Sequence, residues 1–180
     1  MSSFQTLRLD AVLDESTKAT LERTVRGAGA TLRVRSSERF GRTYAAIESA
    51  VPVRADVLLR GLPGATLFDG AVIALAIEPT PADALPMLTT AVGGPGGPAG
   101  VKTAEPVSAA LVVEFSAERS PARFVLDIVD LELRRFGGHR HVELLTPAPA
   151  EWLARAASEG LGAPDIDTSR ILEALLERDV

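Results

Sequence analysis

Four arginines lie close together in the first quarter of the chain. Arg33 and Arg35 are two residues apart in a segment that predicts a strand, and Arg39 and Arg42 follow in or beside the next turn. Alternate residues of a strand point to the same side, and guanidinium groups bind carboxylates and phosphates through paired hydrogen bonds. The sequence therefore predicts an anion-binding site at these four residues. The alternative is a charged edge strand, which discourages unspecific sheet pairing.

The two histidines of the chain form a second group with chemical potential. His139, His141 and Glu143 are spaced at i, i+2 and i+4, so a strand would bring all three to one side. Imidazole and carboxylate groups are zinc ligands, and the pattern predicts a metal site at His139, His141 and Glu143. The alternative is a solvated strand face, because the apolar Val142 and Leu144 occupy the opposite side.

Carboxylates at Asp127, Asp130 and Glu132 are the candidates for acid and base catalysis. Neighbouring arginines make salt bridges the simpler explanation of these residues. The sequence has no cysteine, no G-x-S-x-G nucleophile motif and no H-E-x-x-H metal motif. An enzyme with a dispersed carboxylate site is therefore the least favoured class of function.

Glycine and proline dominate the segment from Gly93 to Gly100, GGPGGPAG. Part of it matches a dinucleotide-binding fingerprint of the form G-x-G-x-x-A. That fingerprint requires a strand before it and a helix after it, and Pro95 and Pro98 lack the amide donors that a phosphate needs. We expect a loop or linker here, and no bound cofactor.

The amino-acid composition restricts the classes of partner that this chain is expected to bind. The 180 residues carry 19 Lys+Arg and 24 Asp+Glu, a net charge of −5, and 46% are hydrophobic. An acidic chain with few aromatic residues is a poor nucleic-acid binder. The longest apolar run, residues 71–77, is much shorter than the roughly 20 residues of a membrane-spanning helix. With no signal peptide visible and no cysteine, we expect a cytoplasmic protein that binds neither membranes nor nucleic acids.

Charge is distributed unevenly along the chain. Residues 1–60 hold ten cations and seven anions, whereas residues 61–180 hold nine cations and 17 anions. The net charges are therefore +3 and −8. Such asymmetry favours self-association or an oriented partner.

The first half of the chain predicts an α+β module over residues 1–92. Alternation and breaker residues predict strands and helices in the order strand, helix, strand, strand, helix, strand, which is the ferredoxin-like βαββαβ arrangement. Asp14 is the predicted cap of the first helix. The predicted strands cover residues 4–13, 30–35, 42–49 and 71–77. A further helix is predicted over residues 82–92.

The second half predicts more strands and then helices. After a linker over residues 93–106, the segment 107–146 predicts an antiparallel group of three strands, at 107–115, 124–135 and 140–145. Gly137-Gly138 favours a hairpin turn between the last two. A helix from Pro121 to Phe136 is the competing interpretation, because it also gathers the charged residues on one stripe.

Residues 147–180 predict two C-terminal helices. The alternative to separate segments is that the whole chain forms one domain. The last helix carries four aliphatic residues on one side, Ile171, Leu172, Leu175 and Leu176. Such spaced anchors bind grooves on other proteins, so these residues are the candidate partner-binding face. The alternative is that they pack on their own domain.

These patterns support three hypotheses for function. The first is a noncatalytic interaction or assembly subunit, in a larger or homo-oligomeric complex, with a protein partner or self-association. The second is a small-anion or metal-binding regulatory domain, which uses the arginines or the histidine face. The third is the enzyme with dispersed carboxylates. Fold alone decides none of them.

Overall fold

The computed structural model describes residues 1–118 and 121–147. These residues form an α+β structure with two four-stranded sheets and four α-helices. They divide into two compact units. The first comprises residues 1–72 and 145–147, and the second comprises the described residues between 73 and 144.

The first unit is a sheet with two helices. Its strands stand in the order β2-β3-β1-β4, and β1 pairs antiparallel with both β3 and β4, as β2 does with β3. The elements follow one another along the chain as β1 (Ser3–Leu9), α1 (Glu15–Gly27), β2 (Thr31–Ser37), β3 (Arg42–Ser49), α2 (Ala55–Leu58) and β4 (Thr66–Asp69).

Helix α1 begins where the sequence predicts. The carboxylate of Asp14 accepts a hydrogen bond from the Thr17 amide at 2.6 Å, which satisfies one of the free donors of the first turn. Leu21 and Val25 lie one turn apart and are buried against the sheet. The N-cap therefore sets the start of α1, and its apolar stripe fixes which side faces the core.

Replacing Asp14 with Ala is expected to destabilise the protein at neutral pH and to lose that effect in acid. The hydrogen bond from the Thr17 backbone lowers the pKa of Asp14. A carboxyl whose pKa is lower in the folded state stabilises above its unfolded pKa, about 4, and loses this contribution as pH falls through the folded pKa.

The measurement is the melting temperature of the natural protein and of Asp14→Ala between about pH 7 and pH 2. The gap between the two curves should close below about pH 4. Glu15→Gln serves as the control. A gap of constant size over the whole range would contradict the capping role.

The core of the first unit lies between the sheet and α1 and α2. Its strand members occupy alternate positions: Leu7, Leu9, Ala45 and Ile47. Buried polar side chains also fix the loops on this side. Thr43, fully buried, donates to the Ala11 carbonyl at 2.8 Å and accepts from the Leu13 amide at 3.3 Å. The loop that follows β1 is thereby tied to β3.

The second unit contains the same succession of strands and α-helices, with a 3-10 turn added before its first α-helix. Its strands stand in the order β6-β7-β5-β8, with β6 antiparallel to β7 and β5 antiparallel to β8. The elements are β5 (Val72–Thr80), a 3-10 turn (Ala82–Ala84), α3 (Leu85–Gly93), β6 (Val101–Val107), β7 (Ala110–Ser116), α4 (Ala122–Arg134) and β8 (His139–Leu144).

The two units therefore share one neighbour order. Counted from the first strand of each unit, both sheets run second, third, first, fourth, with a helix after the first strand and another after the third. No sequence repeat indicated this correspondence. It emerges only when the strand pairings are compared.

The predicted fourth strand of the first sheet was assigned to the wrong sheet. Residues 72–77 of this segment do lie in a strand and are buried, but that strand is β5 and belongs to the second sheet. The fourth strand of the first sheet is β4 instead. Its four residues are too few for an alternating pattern to be recognised.

The preference for a strand at residues 124–135 was wrong. This segment is helix α4, the competing interpretation of the sequence. Ala122, Val125, Leu126, Val129 and Leu133 are buried along one side of the helix. Strand β8 pairs with β5, so the hairpin across Gly137-Gly138 does not form. Within the predicted linker 93–106, residues from Val101 onward are strand β6.

No helix within residues 1–118 and 121–147 combines the length and the apolarity that crossing a membrane requires. The two predicted C-terminal helices, in the segment 147–180, lie outside the described residues except for Pro147.

Candidate anion-binding site

The first sheet has a polar face on the side opposite α1 and α2. Because Leu7, Ala45 and Leu67 pack with the helices, the alternate residues of the same strands point the other way. Arginine supplies every cation of this face. The strand residues that share it include Thr6, Arg8, Arg33, Arg35, Arg42, Tyr44, Thr66 and Phe68.

A row of four side chains crosses this face through all four strands. Arg35 of β2 stands opposite Tyr44 of β3, Tyr44 opposite Arg8 of β1, and Arg8 opposite Thr66 of β4. Directly opposed residues in antiparallel strands have Cβ atoms about 5 Å apart. The register therefore brings two guanidinium groups to either side of a buried tyrosine.

Arg8 is held in place by its two neighbours on β4. Its guanidinium donates to the Thr66 hydroxyl at 3.3 Å. The same guanidinium lies over the Phe68 ring, 5.6 Å from the ring centre, in a cation–π contact. Only 16% of the Arg8 side chain is exposed. Its position is therefore set before any ligand arrives.

Arg42 is held in a similar way by Tyr44. The guanidinium of Arg42 donates to the Tyr44 hydroxyl at 3.3 Å, and 8% of the Arg42 side chain is exposed. Tyr44 is itself fully buried. A buried guanidinium is stabilised by an anionic group within reach.

A single carboxylate oxygen serves both guanidinium groups. Oδ1 of Asp10 is 3.6 Å from Nε of Arg8 and 3.7 Å from Nε of Arg42. Asp10 lies in the bend after β1 and is 63% exposed. The position between the two arginines is thus suited to a carboxylate, and the side chain that supplies that carboxylate is exposed. Among the described residues, this is where we locate the candidate anion site.

Of the four arginines predicted to bind an anion, three lie on one face of the first sheet and the fourth lies in a turn. Arg33, Arg35 and Arg42 lie on the polar face of the first sheet, opposite Ala46, Tyr44 and Ser37 respectively. Arg39 lies in the turn between β2 and β3, exposed, with its guanidinium 5.3 Å from the centre of the Phe40 ring. Asp10 forms ion pairs with Arg42 and with Arg8.

Arg8 and Asp10 belong to the candidate site, but the sequence patterns did not predict them as site residues. The alternation Thr6, Arg8, Asp10 on one side of a predicted strand is the signal that marks them as facing away from the core. That alternation does not specify which strand lies alongside. The pairing of β1 with β3 brings Arg8 to Tyr44 across 36 residues of sequence.

No protein-family model matches the chain, and no curated protein matches it. Among solved structures, the crystal structure of an unknown protein from Galdieria sulphuraria is similar, with a TM-score of 0.38 and 11% sequence identity. That alignment covers 80% of this chain and 99% of the other. At this TM-score the likeness carries no argument about fold or function.

The predicted metal ligands share one face of β8. His139, His141 and Glu143 stand opposite Thr80, Glu78 and Ala76 of β5, and the two histidines are exposed. In the described part of the chain, no group of three histidine, aspartate or glutamate side chains is arranged to hold a metal ion. The spacing of the three residues along the strand therefore does not by itself make a metal centre.

The first unit also has a groove between α1 and α2, with a volume of about 190 Å³. Hydroxyl groups of α1 line one wall, but those of Thr20 and Thr24 donate to the carbonyls of Ser16 and Thr20 in their own helix. Among the described residues that line it, Arg60 is the one that carries a charge. The groove lacks the converging charges of the arginine row.

The predicted partner-binding residues, Ile171, Leu172, Leu175 and Leu176, lie outside the described residues. On the described surface, α4 exposes two large apolar side chains, Phe124 at 67% and Leu131 at 56%. Seven residues apart, they lie on the same side of the helix, opposite its buried stripe.

Proposed function

We propose that this protein is a noncatalytic binding subunit whose first unit receives a small carboxylate between Arg8 and Arg42. The observation that carries this proposal is the position of the Asp10 oxygen, within 3.7 Å of both guanidinium groups. Two arginines that already share one carboxylate oxygen offer the geometry that an external carboxylate needs. We infer a regulatory role, in which the ligand stabilises the first unit.

Preorganisation supports this proposal. Arg8 is fixed by Thr66 and Phe68, and Arg42 is fixed by Tyr44, so little side-chain freedom is lost when an anion binds. Partial burial strengthens the attraction, because charged pairs are screened less away from bulk water. No nucleophile or acid–base pair is needed for such a role.

We also propose that each unit is a ferredoxin-like βαββαβ module. The proposal is supported by the element order and by the shared neighbour order of the two sheets. In this arrangement both helices cover one face and leave the other for contacts or ligands. The candidate site lies on that second face in the first unit.

The carboxylate site is tested by titrating the purified full chain with acetate and with inorganic phosphate in a calorimeter. We expect acetate to bind, and Arg42→Gln and Arg8→Gln each to weaken binding about tenfold or more, because a charge-assisted hydrogen bond is lost. Arg8→Lys, which keeps the charge without the planar fork, is expected to bind more weakly than the natural protein.

Arg54→Gln is the matched control. Arg54 is an exposed arginine of the same unit, 78% exposed and paired with Asp56, so its replacement removes a cation at a distance from the row. Acetate affinity should not change in this variant. No detectable heat with either anion, or equal weakening by Arg54→Gln, would contradict the proposal. Urea denaturation of each variant confirms that a loss of binding is not a loss of folding.

The interaction or assembly role remains a prediction. Its candidate residues from Ile171 to Leu176 lie outside the described residues. Among the described residues, Phe124 and Leu131 on α4 are exposed apolar side chains that a protein partner would contact in such a role. The metal alternative gains no support from the arrangement of His139, His141 and Glu143.

A further inference from the structure

The groove between α1 and α2 combines apolar and polar side chains in a small volume. It encloses about 190 Å³. Leu21, Leu58 and Leu62 line it, and all three are buried. An apolar cavity of about 150 Å³ holds a benzene ring, whereas pockets for larger ligands start at about 300 Å³. The groove therefore fits a ligand with one ring.

A row of hydroxyl groups on α1 forms one side of the groove. Ser16, Thr20 and Thr24 are spaced four residues apart and all line it, so they share one side of the helix. The hydroxyls of Thr20 and Thr24 already donate to carbonyls of their own helix, each at 3.0 Å. Their oxygens retain lone pairs that accept hydrogen bonds. This side of the groove therefore favours a ligand group that donates a hydrogen bond.

Arg60 gives the groove its charge. Its side chain is exposed and lines the groove beside Val57 and Gly61. None of the described lining residues is acidic. A guanidinium group binds a carboxylate through paired, charge-assisted hydrogen bonds. A single cation in the lining therefore complements a ligand that carries one negative charge.

We infer that this groove binds a small hydroxylated aromatic carboxylate. The ring lies against the three buried leucines, the carboxylate binds Arg60, and the ligand hydroxyl donates to the Thr20 oxygen. Each part of the ligand thus matches one kind of side chain in the lining. The site is separate from the proposed carboxylate site, because the groove lies on the helix side of the first sheet and the arginine row lies on the opposite side.

The test is titration of the full chain with para-hydroxybenzoate, followed by NMR of the methyl groups. We expect saturable shifts at Leu21 and Leu62, with a dissociation constant on the order of 1 mM. Benzoate lacks the hydroxyl and phenol lacks the carboxylate, so each is expected to bind about three- to tenfold more weakly. The methyl groups of Val125 and Leu133, in the core of the second unit, should not shift.

Two substitutions with matched controls test the polar contacts. Arg60→Gln removes the charge, and Thr20→Val removes the acceptor oxygen while keeping the shape. Each is expected to weaken binding of para-hydroxybenzoate about three- to tenfold. Arg23→Gln is the charge control, since Arg23 is an exposed arginine of α1 outside the lining. Thr90→Val is the hydroxyl control, because Thr90 is exposed on α3 and donates to the Pro86 carbonyl at 3.2 Å in the same way.

Weaker binding by Arg60→Gln and Thr20→Val, with unchanged affinity in both controls, supports the groove site. Equal weakening by Arg23→Gln or by Thr90→Val would overturn it, as would equal affinities for benzoate and para-hydroxybenzoate. Absence of shifts at Leu21 and Leu62 would also overturn it and would leave the carboxylate site standing, because that site is tested separately with acetate. Urea denaturation of each variant confirms that it is folded.

Discussion

Replacing Gln5 with Met is expected to lower the free energy of unfolding by about 2–4 kcal/mol. Gln5 is the one glutamine of the chain and is 4% exposed. Its amide donates to the Val53 carbonyl at 2.9 Å, and its carbonyl accepts from the Val53 amide at 2.9 Å. Met matches the length and shape but leaves both backbone groups of Val53 buried without these partners.

Chemical denaturation of the full chain measures this effect. Arg54→Ala is the control, because Arg54 follows Val53 directly but its side chain is exposed and paired with Asp56. That variant should change stability by less than about 1 kcal/mol. If Gln5→Met and Arg54→Ala have the same small effect, the two hydrogen bonds to Val53 do not fix the segment before α2.

Replacing Gly138 with Ala is expected to destabilise the protein by about 3 kcal/mol. A Cβ at this position would overlap the carbonyl oxygen of Thr80 and would lie 2.9 Å from its carbonyl carbon. Both atoms belong to the backbone of β5, so no flexible side chain can move aside. Gly138 also donates its amide to the Leu133 carbonyl at 3.0 Å, which closes the end of α4.

Gly27→Ala is the matched control for this substitution. Gly27 is the last residue of α1, and a Cβ there would meet no atom within 4 Å. Alanine loses less backbone freedom on folding than glycine, so stability should stay the same or rise by up to about 1 kcal/mol. Equal denaturation midpoints for Gly138→Ala and the natural protein would show that α4 and β5 approach each other less closely there.

Local chemistry in the sequence was sufficient for several elements. Asp14 marked the start of α1, because a capping carboxylate acts within its own turn. The segments 30–35 and 42–49 overlap β2 and β3, because alternation and an intervening polar turn are local signals. In residues 71–77 the unbroken apolar run predicted a strand, and residues 72–77 are a buried part of β5.

The same local signals misled at α4. Phe124 and Leu131 are apolar but exposed, while Val125, Val129 and Leu133 are buried. Apolar residues on both sides of the helix obscured its 3.6-residue period, and the segment resembled alternating strand residues. Gly137-Gly138 then suggested a hairpin turn, although the role of Gly138 is to close α4 beside β5.

A residue pattern within one strand does not predict which strand lies beside it, and the candidate site is an example. The cationic character of β2 and its turn was evident in Arg33 and Arg35, and an anion site was predicted from it. The register of β1 on β3 placed Arg8 beside Tyr44, and the bend after β1 placed Asp10 near Arg42. The spacing of residues along the chain predicts neither the contact of Arg8 with Tyr44 nor that of Asp10 with Arg42.

The sequence by itself determined the α+β class, the first helix and its cap, and the strands of the first hairpin, since these depend on interactions between residues a few positions apart. Only the tertiary structure decided which sheet each strand joins and which arginines share a carboxylate. Strand pairing depends on the relative stability of contacts between segments distant in the chain, and side-chain alternation is the same whichever neighbour is chosen.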